Sequence, residues 1–189
     1  ADEILKMNLS KIILNGSDED LKKTEITQPA ILATSVAILN VLKNEFNLKI
    51  SEIKYFAGHS LGEYTALVAS ESLKFSDALH LVHNRGKLMQ SAVPLGKGAM
   101  LAVMGLNITE LNSMLKKNEF GKGICEVAND NSPGQIILSG EKETLIDFSG
   151  KLKAEKKKSI FLPVSAPFHC SLMRPAAESM KKLLEKIVF

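Results

Sequence analysis

Residues 56–64 read FAGHSLGEY, and the fold of the larger part of the chain depends on the job of the serine at their centre. The spacing Gly58-His59-Ser60-Leu61-Gly62 is what a tight strand-to-helix turn requires. The flanking positions must tolerate crowding and strain if the serine oxygen is to stand clear of the backbone. On these five residues alone Ser60 serves equally well as an ordinary helix N-cap. The flanks separate the two readings. Residues 54–57 are a short strand candidate and residues 61–69 a largely apolar helix, so Ser60 lies at the strand-to-helix junction that a nucleophile elbow needs.

Outward from this junction the pattern is that of an α/β protein. Thr27-Gln28-Pro29 opens a helix, with Thr27 as its cap and Pro29 in its first turn. Ile31, Ala33, Val36, Leu39 and Leu42 then follow apolar spacing to about Phe46. Ser76 and Asp77 start another helix that runs to about Ser91, where Pro94, Gly96 and Gly98 end it. Beyond this point the pattern predicts a strand at 99–104, a helix at 108–117, strands at 124–128 and 134–139, a helix at 142–154 and a strand at 159–162. This βαββαβ order is that of a ferredoxin-like subdomain. The expected organisation is therefore a discontinuous α/β domain, 1–95 with 164–189, interrupted by a ferredoxin-like subdomain at 96–163. An amphipathic helix through Leu172, Ala176, Met180, Leu183, Leu184 and Ile187 closes the chain.

Composition narrows the function classes. The 189 residues are 45% hydrophobic and 24% charged, the balance of a globular protein rather than a disordered or fibrous one. A formal charge of +3 is too mild for nucleic acid binding and compatible with an acidic protein partner. No uninterrupted apolar stretch reaches membrane-spanning length. The expected partners therefore include neither nucleic acid nor membrane. Cys125 and Cys170 are far apart, and no secretory leader precedes them, so they are expected to be reduced thiols in a cytoplasmic protein.

A serine hydroxyl is a poor nucleophile at neutral pH and needs a base, usually histidine, within hydrogen-bond reach. His59 adjoins Ser60, and on an elbow neighbouring side chains diverge. His80 and His83 share one helix and read as surface or packing residues. His169 stands apart, in residues 163–170, PVSAPFHC, a run with two prolines between the last strand and the closing helix. Such a rigid loop can hold a catalytic base, although a histidine satisfied locally at a helix N-terminus has the same pattern. The acid that would orient it is missing. Asp77, Asp130 and Asp147 read as caps, turn residues or surface charges, so a main-chain carbonyl is the expected third member. Cys170, next to His169, reads as a structural thiol. Arg85 falls on the apolar stripe formed by Ala78, Leu79, Val82 and Met89, where a guanidinium needs an anion. That anion is either an internal Asp or Glu or a ligand carboxylate; the helix follows directly on the nucleophile helix, which favours the ligand.

Taken together, residues 27–30 (TQPA), 58–64 (GHSLGEY), 85–90 (RGKLMQ), 129–135 (NDNSPGQ) and 163–173 resemble the malonyl-CoA:acyl carrier protein transacylase family. The five motifs stand in the right order from about residue 20 to the end. The resemblance implies an α/β-hydrolase-like core with a ferredoxin-like insertion. It implies transfer of malonyl from malonyl-CoA to acyl carrier protein through an ester on Ser60, in fatty acid synthesis. His169 would remove and return the proton, Arg85 would pair with the free malonyl carboxylate, and the Leu61 N–H would form half of the oxyanion hole. Leu61 and Phe168 match family positions that accompany malonyl rather than methylmalonyl, and Asn129 and Asn131 match positions near the substrate cleft. No metal and no cofactor is implied, coenzyme A entering as a substrate thioester.

The family's opening Gly-Gln-Gly strand has no match in residues 1–20. The segment that supplies the histidine-orienting carbonyl lies beyond the family's equivalent of Phe189. The chain is thus expected to be an internal piece of such an enzyme. Two other readings remain: a serine ester or thioester hydrolase, in which water reaches the acyl-enzyme, and an inactive module that binds acyl carrier protein. Lys151, Lys153, Lys156, Lys157 and Lys158 form either a carrier-protein rim or a solvated helix end.

Overall fold

A helix of 22 residues, α4 (Thr24–Glu45), organises the first part of the chain in the computed structural model, which describes residues 1–117, 123–164 and 166–189. Three short helices precede it: α1 (Asp2–Leu5), α2 (Leu9–Asn15) and α3 (Asp18–Lys22). Helix α4 begins three residues before the expected cap. Thr27 is inside it, and its hydroxyl donates back to the carbonyls of Leu21 and Lys23 instead of capping. Pro29 consequently sits within the helix, where it has no N–H to offer the carbonyl of Glu25 four residues earlier. That carbonyl is taken by His83 Nδ1 at 2.9 Å. A carbonyl only accepts, so Nδ1 carries the proton. His83 belongs to α6 (Phe75–Ser91), one turn before Gly86. A Cβ at Gly86 would lie 2.5 Å from Glu25 Cα and from the Thr24 carbonyl oxygen. The two helix backbones therefore touch at the turn that contains the proline's orphaned carbonyl.

Between α4 and α6 come a 3-10 turn at Ile50–Glu52 and α5 (Gly62–Ala69). Leu32 and Val36 of α4 pack with Leu73, Ala78, Leu79, Leu81, Val82 and Met180, and Leu61, just before α5, with Tyr64, Leu67 and Val68 of α5 packs against them. The predicted stripe of α6 is real: Ala78, Leu79, Val82 and Met89 are all buried. Residues 54–57 are not a strand. They run without a ladder partner among the described residues, and Tyr55 is 88% exposed. An extended segment becomes a strand only when a neighbour takes up its N–H and C=O groups. Helix α4 is long and apolar enough, by length and composition alone, to cross a membrane. Its buried residues include Thr24, Gln28 and Pro29 beside Leu32 and Val36, the mixed inner face of a core helix.

The second part of the chain carries the sheet. Its elements are β1 (Gly98–Met104), α7 (Ile108–Lys117), β2 (Cys125–Ser132), β3 (Gln135–Glu141), α8 (Lys142–Ala154) and β4 (Lys158–Phe161). The strand order is β2-β3-β1-β4 and every pairing is antiparallel, with Leu101 opposite Leu138 and Phe161. Strand β2 runs four residues beyond the predicted end and shifts register between Val127 and Asn129 and again between Asp130 and Ser132. Leu101, Val103, Ile136 and Leu138 point to one face, where Leu111 of α7 and Leu145, Phe148 and Leu152 of α8 cover them. Met100, Ala102 and Ile137 point to the other and meet Leu162 and Phe168. A 3-10 turn at Ser171–Met173 and α9 (Arg174–Leu184) complete the chain, with Ala176 and Met180 buried. Two compact units result, Ala1–Leu88 with Ser179–Phe189, and Met89–Glu178.

Candidate active site

Ser60 has a φ of +54°, a left-handed conformation that costs a residue with a Cβ and recurs where a side chain must be thrust clear of its turn. The flanking glycines are not equivalent. A Cβ at Gly58 would come within 1.9 Å of the Gly62 carbonyl carbon and oxygen, so residue 58 must be glycine for the turn to close. A Cβ at Gly62 would meet nothing within 4 Å. The turn is tied by Gly62 N–H to His59 C=O at 2.9 Å and Glu63 N–H to Ser60 C=O at 3.2 Å. Ser60 is not a cap. The residue at the N-cap of α5 is Leu61, which makes no side-chain capping bond. Among the described residues no acceptor takes the Leu61 N–H, which leaves it able to meet a developing oxyanion.

What Ser60 Oγ does accept is a hydrogen bond from Arg85 Nη2, at 3.0 Å. The other terminal nitrogen, Nη1, donates to Gln28 Oε1 at 2.6 Å, and Cζ lies 6.0 Å from the centre of the Tyr64 ring. Burial pushes the Arg85 pKa down and the Tyr64 pKa up, the cost of withdrawing each charged form from water. Lys23–Asp20, Lys43–Glu71 and Lys49–Glu52 form ion pairs, and none among the described residues involves Arg85. An internal carboxylate is therefore not its partner there. A half-buried guanidinium beside the serine is held by two neutral oxygens, and it retains a full charge for an anionic ligand.

Gln28 is the residue that sequence reasoning missed. It is 4% exposed, and its Nε2 donates to Thr24 Oγ1 at 3.0 Å, which turns Oε1 towards Arg85. The signal was present: Gln28 lies on the stripe of Leu32 and Val36, a polar side chain on an apolar face just as Arg85 is.

Phe168 and His169 lie in the second unit. Pro167 is buried, and a Cβ at Gly98 would lie 2.3 Å from its ring, so the start of β1 and this loop are in direct contact. Phe168 packs against Met100, Ala102 and Ile137. His169, exposed, has a φ of +60°. Cys170 Sγ donates to the Pro167 carbonyl at 3.2 Å, and burial raises its thiol pKa, the opposite of an activated thiolate. Asn129 and Asn131 are on β2, with Asn131 Nδ2 donating to Gln135 Oε1 at 3.3 Å. Of the remaining candidates, His59 and His80 are exposed and His83 holds the Glu25 carbonyl. Asp77, Asp130 and Asp147 lie on α6, β2 and α8. Ser60, Leu61 and Arg85 are thus gathered in the first unit, and Phe168, His169, Asn129 and Asn131 belong to the second. Among the described residues no group of three or more His, Cys, Asp or Glu forms a metal-ligating cluster.

Ser60, on a strained turn, and Arg85, bonded to its Oγ and in no ion pair among the described residues, are the centre of the candidate site. The chain belongs to the acyl transferase domain family, which matches residues 2–189. The match reaches back through α1 and α2, further than the motifs alone indicated. Malonyl CoA-acyl carrier protein transacylase of Haemophilus influenzae is 45% identical over 188 residues, 99% of this chain and 59% of that protein. The Bacillus subtilis protein of the same name is 42% identical over 98% of this chain and 57% of its own length. Among solved structures, acyl-carrier-protein-S-malonyltransferase from Bartonella henselae superposes with a TM-score of 0.92 at 37% identity. It matches 99% of this chain and 60% of its own. A type II polyketide synthase acyl-carrier protein in complex with its malonyl-transacylase gives 0.92 at 42%, over 100% of this chain and 60% of the other. The chain spans about three fifths of the length of these relatives.

Proposed function

We propose that this chain carries the acylation centre of a malonyl-CoA:acyl carrier protein transacylase, an enzyme of fatty acid biosynthesis. The observation that carries the proposal is the Arg85 guanidinium, bonded to Ser60 Oγ and lacking a carboxylate partner among the described residues. Malonyl differs from a neutral acyl group by one carboxylate, and a bidentate guanidinium is the side chain that reads a carboxylate. Ser60 Oγ attacks the thioester carbonyl of malonyl-CoA, and His169 takes the hydroxyl proton. The tetrahedral oxyanion is held in part by the Leu61 N–H. The carbon–sulfur bond breaks, His169 returns its proton to the coenzyme A thiolate, and malonyl remains as an ester on Ser60. The phosphopantetheine thiol of acyl carrier protein then attacks the ester by the same steps in reverse. The relatives named as malonyl transacylases support this reading, as does the complex of one neighbour with its carrier protein.

Phe168 and Leu61 would restrict branching beside the acyl carbonyl, and Asn129 and Asn131 would face the cleft. For the fold, the antiparallel order β2-β3-β1-β4 within βαββαβ supports a ferredoxin-like subdomain at 96–163, set into an α/β-hydrolase-like core of 1–95 and 164–189. Two free thiols support a reducing, cytoplasmic setting. The test is the intact mass of the protein after exposure to malonyl-CoA. A malonyl adduct that is absent from Ser60→Ala and moves to carrier protein is the expected result. A water-labile adduct with no transfer would mean a hydrolase, and no adduct would mean a binding module.

A further inference from the structure

We propose that Glu126 is a positioning residue for His169, acting through Ser171. Glu126 stands near the start of β2, opposite Ser139 of β3. Its Oε2 accepts the Ser171 N–H at 2.7 Å and its Oε1 accepts the Ser171 hydroxyl at 2.6 Å, so both carboxylate oxygens close on one residue 45 positions away. Ser171 opens the 3-10 turn that leads into α9, where the first N–H groups lack partners of their own and favour an anion. It is also two residues after His169. Upstream, Pro167 is seated on Gly98 and Phe168 on Met100, Ala102 and Ile137. The histidine is thereby gripped on both sides while its own backbone sits at a φ of +60°, a conformation that persists only where the surroundings impose it. The upstream grip is apolar packing. The downstream grip is this pair of charge-assisted bonds, shorter and stronger than neutral ones. Without it the turn can swing about Cys170 and carry the imidazole away from a hydroxyl it must meet at hydrogen-bond distance.

This inference rests on His169 being the base, and a double-mutant cycle in the full-length enzyme separates the two ideas. Glu126→Ala should lower kcat for malonyl transfer about 10- to 100-fold, the scale of an ångström of misplacement, with KM within about twofold. Glu126→Gln, which can still accept the N–H and donate to the Ser171 hydroxyl, should recover most of the rate. Ser171→Ala, which deletes one bond and leaves the backbone one, should fall between them. In a His169→Ala background, Glu126→Ala should cost nothing further, because a positioning residue acts only through the group it positions. An equal loss in both backgrounds would make Glu126 merely structural, and unchanged kcat in Glu126→Ala would also overturn the proposal. Exchange of the Ser171 amide proton reads the clamp without reference to activity. It should be protected in the parent and faster in Glu126→Ala, and equal rates would remove the clamp. If His169→Ala alone keeps the parent rate, the base assignment fails while the clamp stands or falls on the exchange result.

Discussion

Arg85 shows how a half-buried cation can be held without being neutralised. Gln28 and Ser60 give it oxygens but no charge, and Tyr64 offers a ring face. Arg85→Ala should therefore damage malonyl transfer far more than acetyl transfer. Loss of a charge-assisted bond of about 1.5–3 kcal/mol corresponds to a change in preference of roughly tenfold to a hundredfold. Gln28→Ala should shift the preference the same way by a smaller factor, since the guanidinium remains but its orientation is released. Rates with the two thioesters for each variant decide the matter. An equal loss on both would give Arg85 a structural role. Cys125 is a second residue whose surroundings make a measurable statement. Burial pushes its thiol from 9.0 up to about 12, so the folded state favours the neutral form. The stability this contributes is complete below pH 9 and is lost as pH rises towards 12. Denaturant midpoints should fall more steeply over that window in the parent than in Cys125→Ala. Parallel curves would show that the thiol titrates normally.

At the scale of the element, the elbow separates two glycines that a sequence motif treats alike. Gly58 has the backbone of Gly62 where a Cβ would go, whereas Gly62 faces open space. Gly58→Ala should cost about 1–3 kcal/mol of stability, the usual cost of forcing atoms into an occupied site, and should abolish acylation of Ser60. Gly62→Ala should leave stability within about 1 kcal/mol of the parent, because alanine gains helix propensity at the first position of α5. Thermal unfolding of both variants is the check. A larger loss at residue 62 than at residue 58 would contradict this account of the turn. Helix α4 carries a related lesson. Its proline is tolerated because His83 accepts the task of satisfying Glu25, a repair supplied by another helix.

Over the whole molecule, apolar surface is unevenly distributed. The sheet has side chains packed on both of its faces. Along α4, by contrast, Ile31, Ile38 and Val41, with Phe46 at its C-cap, are between 48% and 72% exposed. A contiguous apolar helix face in water favours association. The 189-residue chain is expected to self-associate in sedimentation experiments, and Ile38→Lys with Val41→Lys should reduce this without lowering the unfolding midpoint. A double variant that sediments as the parent does would show that another surface is responsible.

The periodicities were legible because they belong to each segment alone. Short apolar runs bounded by turn residues marked β1 and β3, the stripe of α6 placed Arg85 inward, and the glycine spacing around Ser60 announced a strained turn. Partners were not legible, because a hydrogen bond or a strand pairing joins segments whose separation no local pattern encodes. Residues 54–57 have the composition of a strand and no neighbour among the described residues to make them one. Helix α4 starts at Thr24, and the Thr27 hydroxyl bonds the Leu21 and Lys23 carbonyls behind it instead of capping. Gln28 meets Arg85 across 57 residues and Glu126 meets Ser171 across 45, and only the packing of helix on helix and loop on sheet brings either pair within reach. The sequence by itself determined which side chains must turn inward and where the backbone must strain. Which group each of them meets was decided by the tertiary structure, because burial is demanded by the chemistry of one residue and satisfaction needs the position of two.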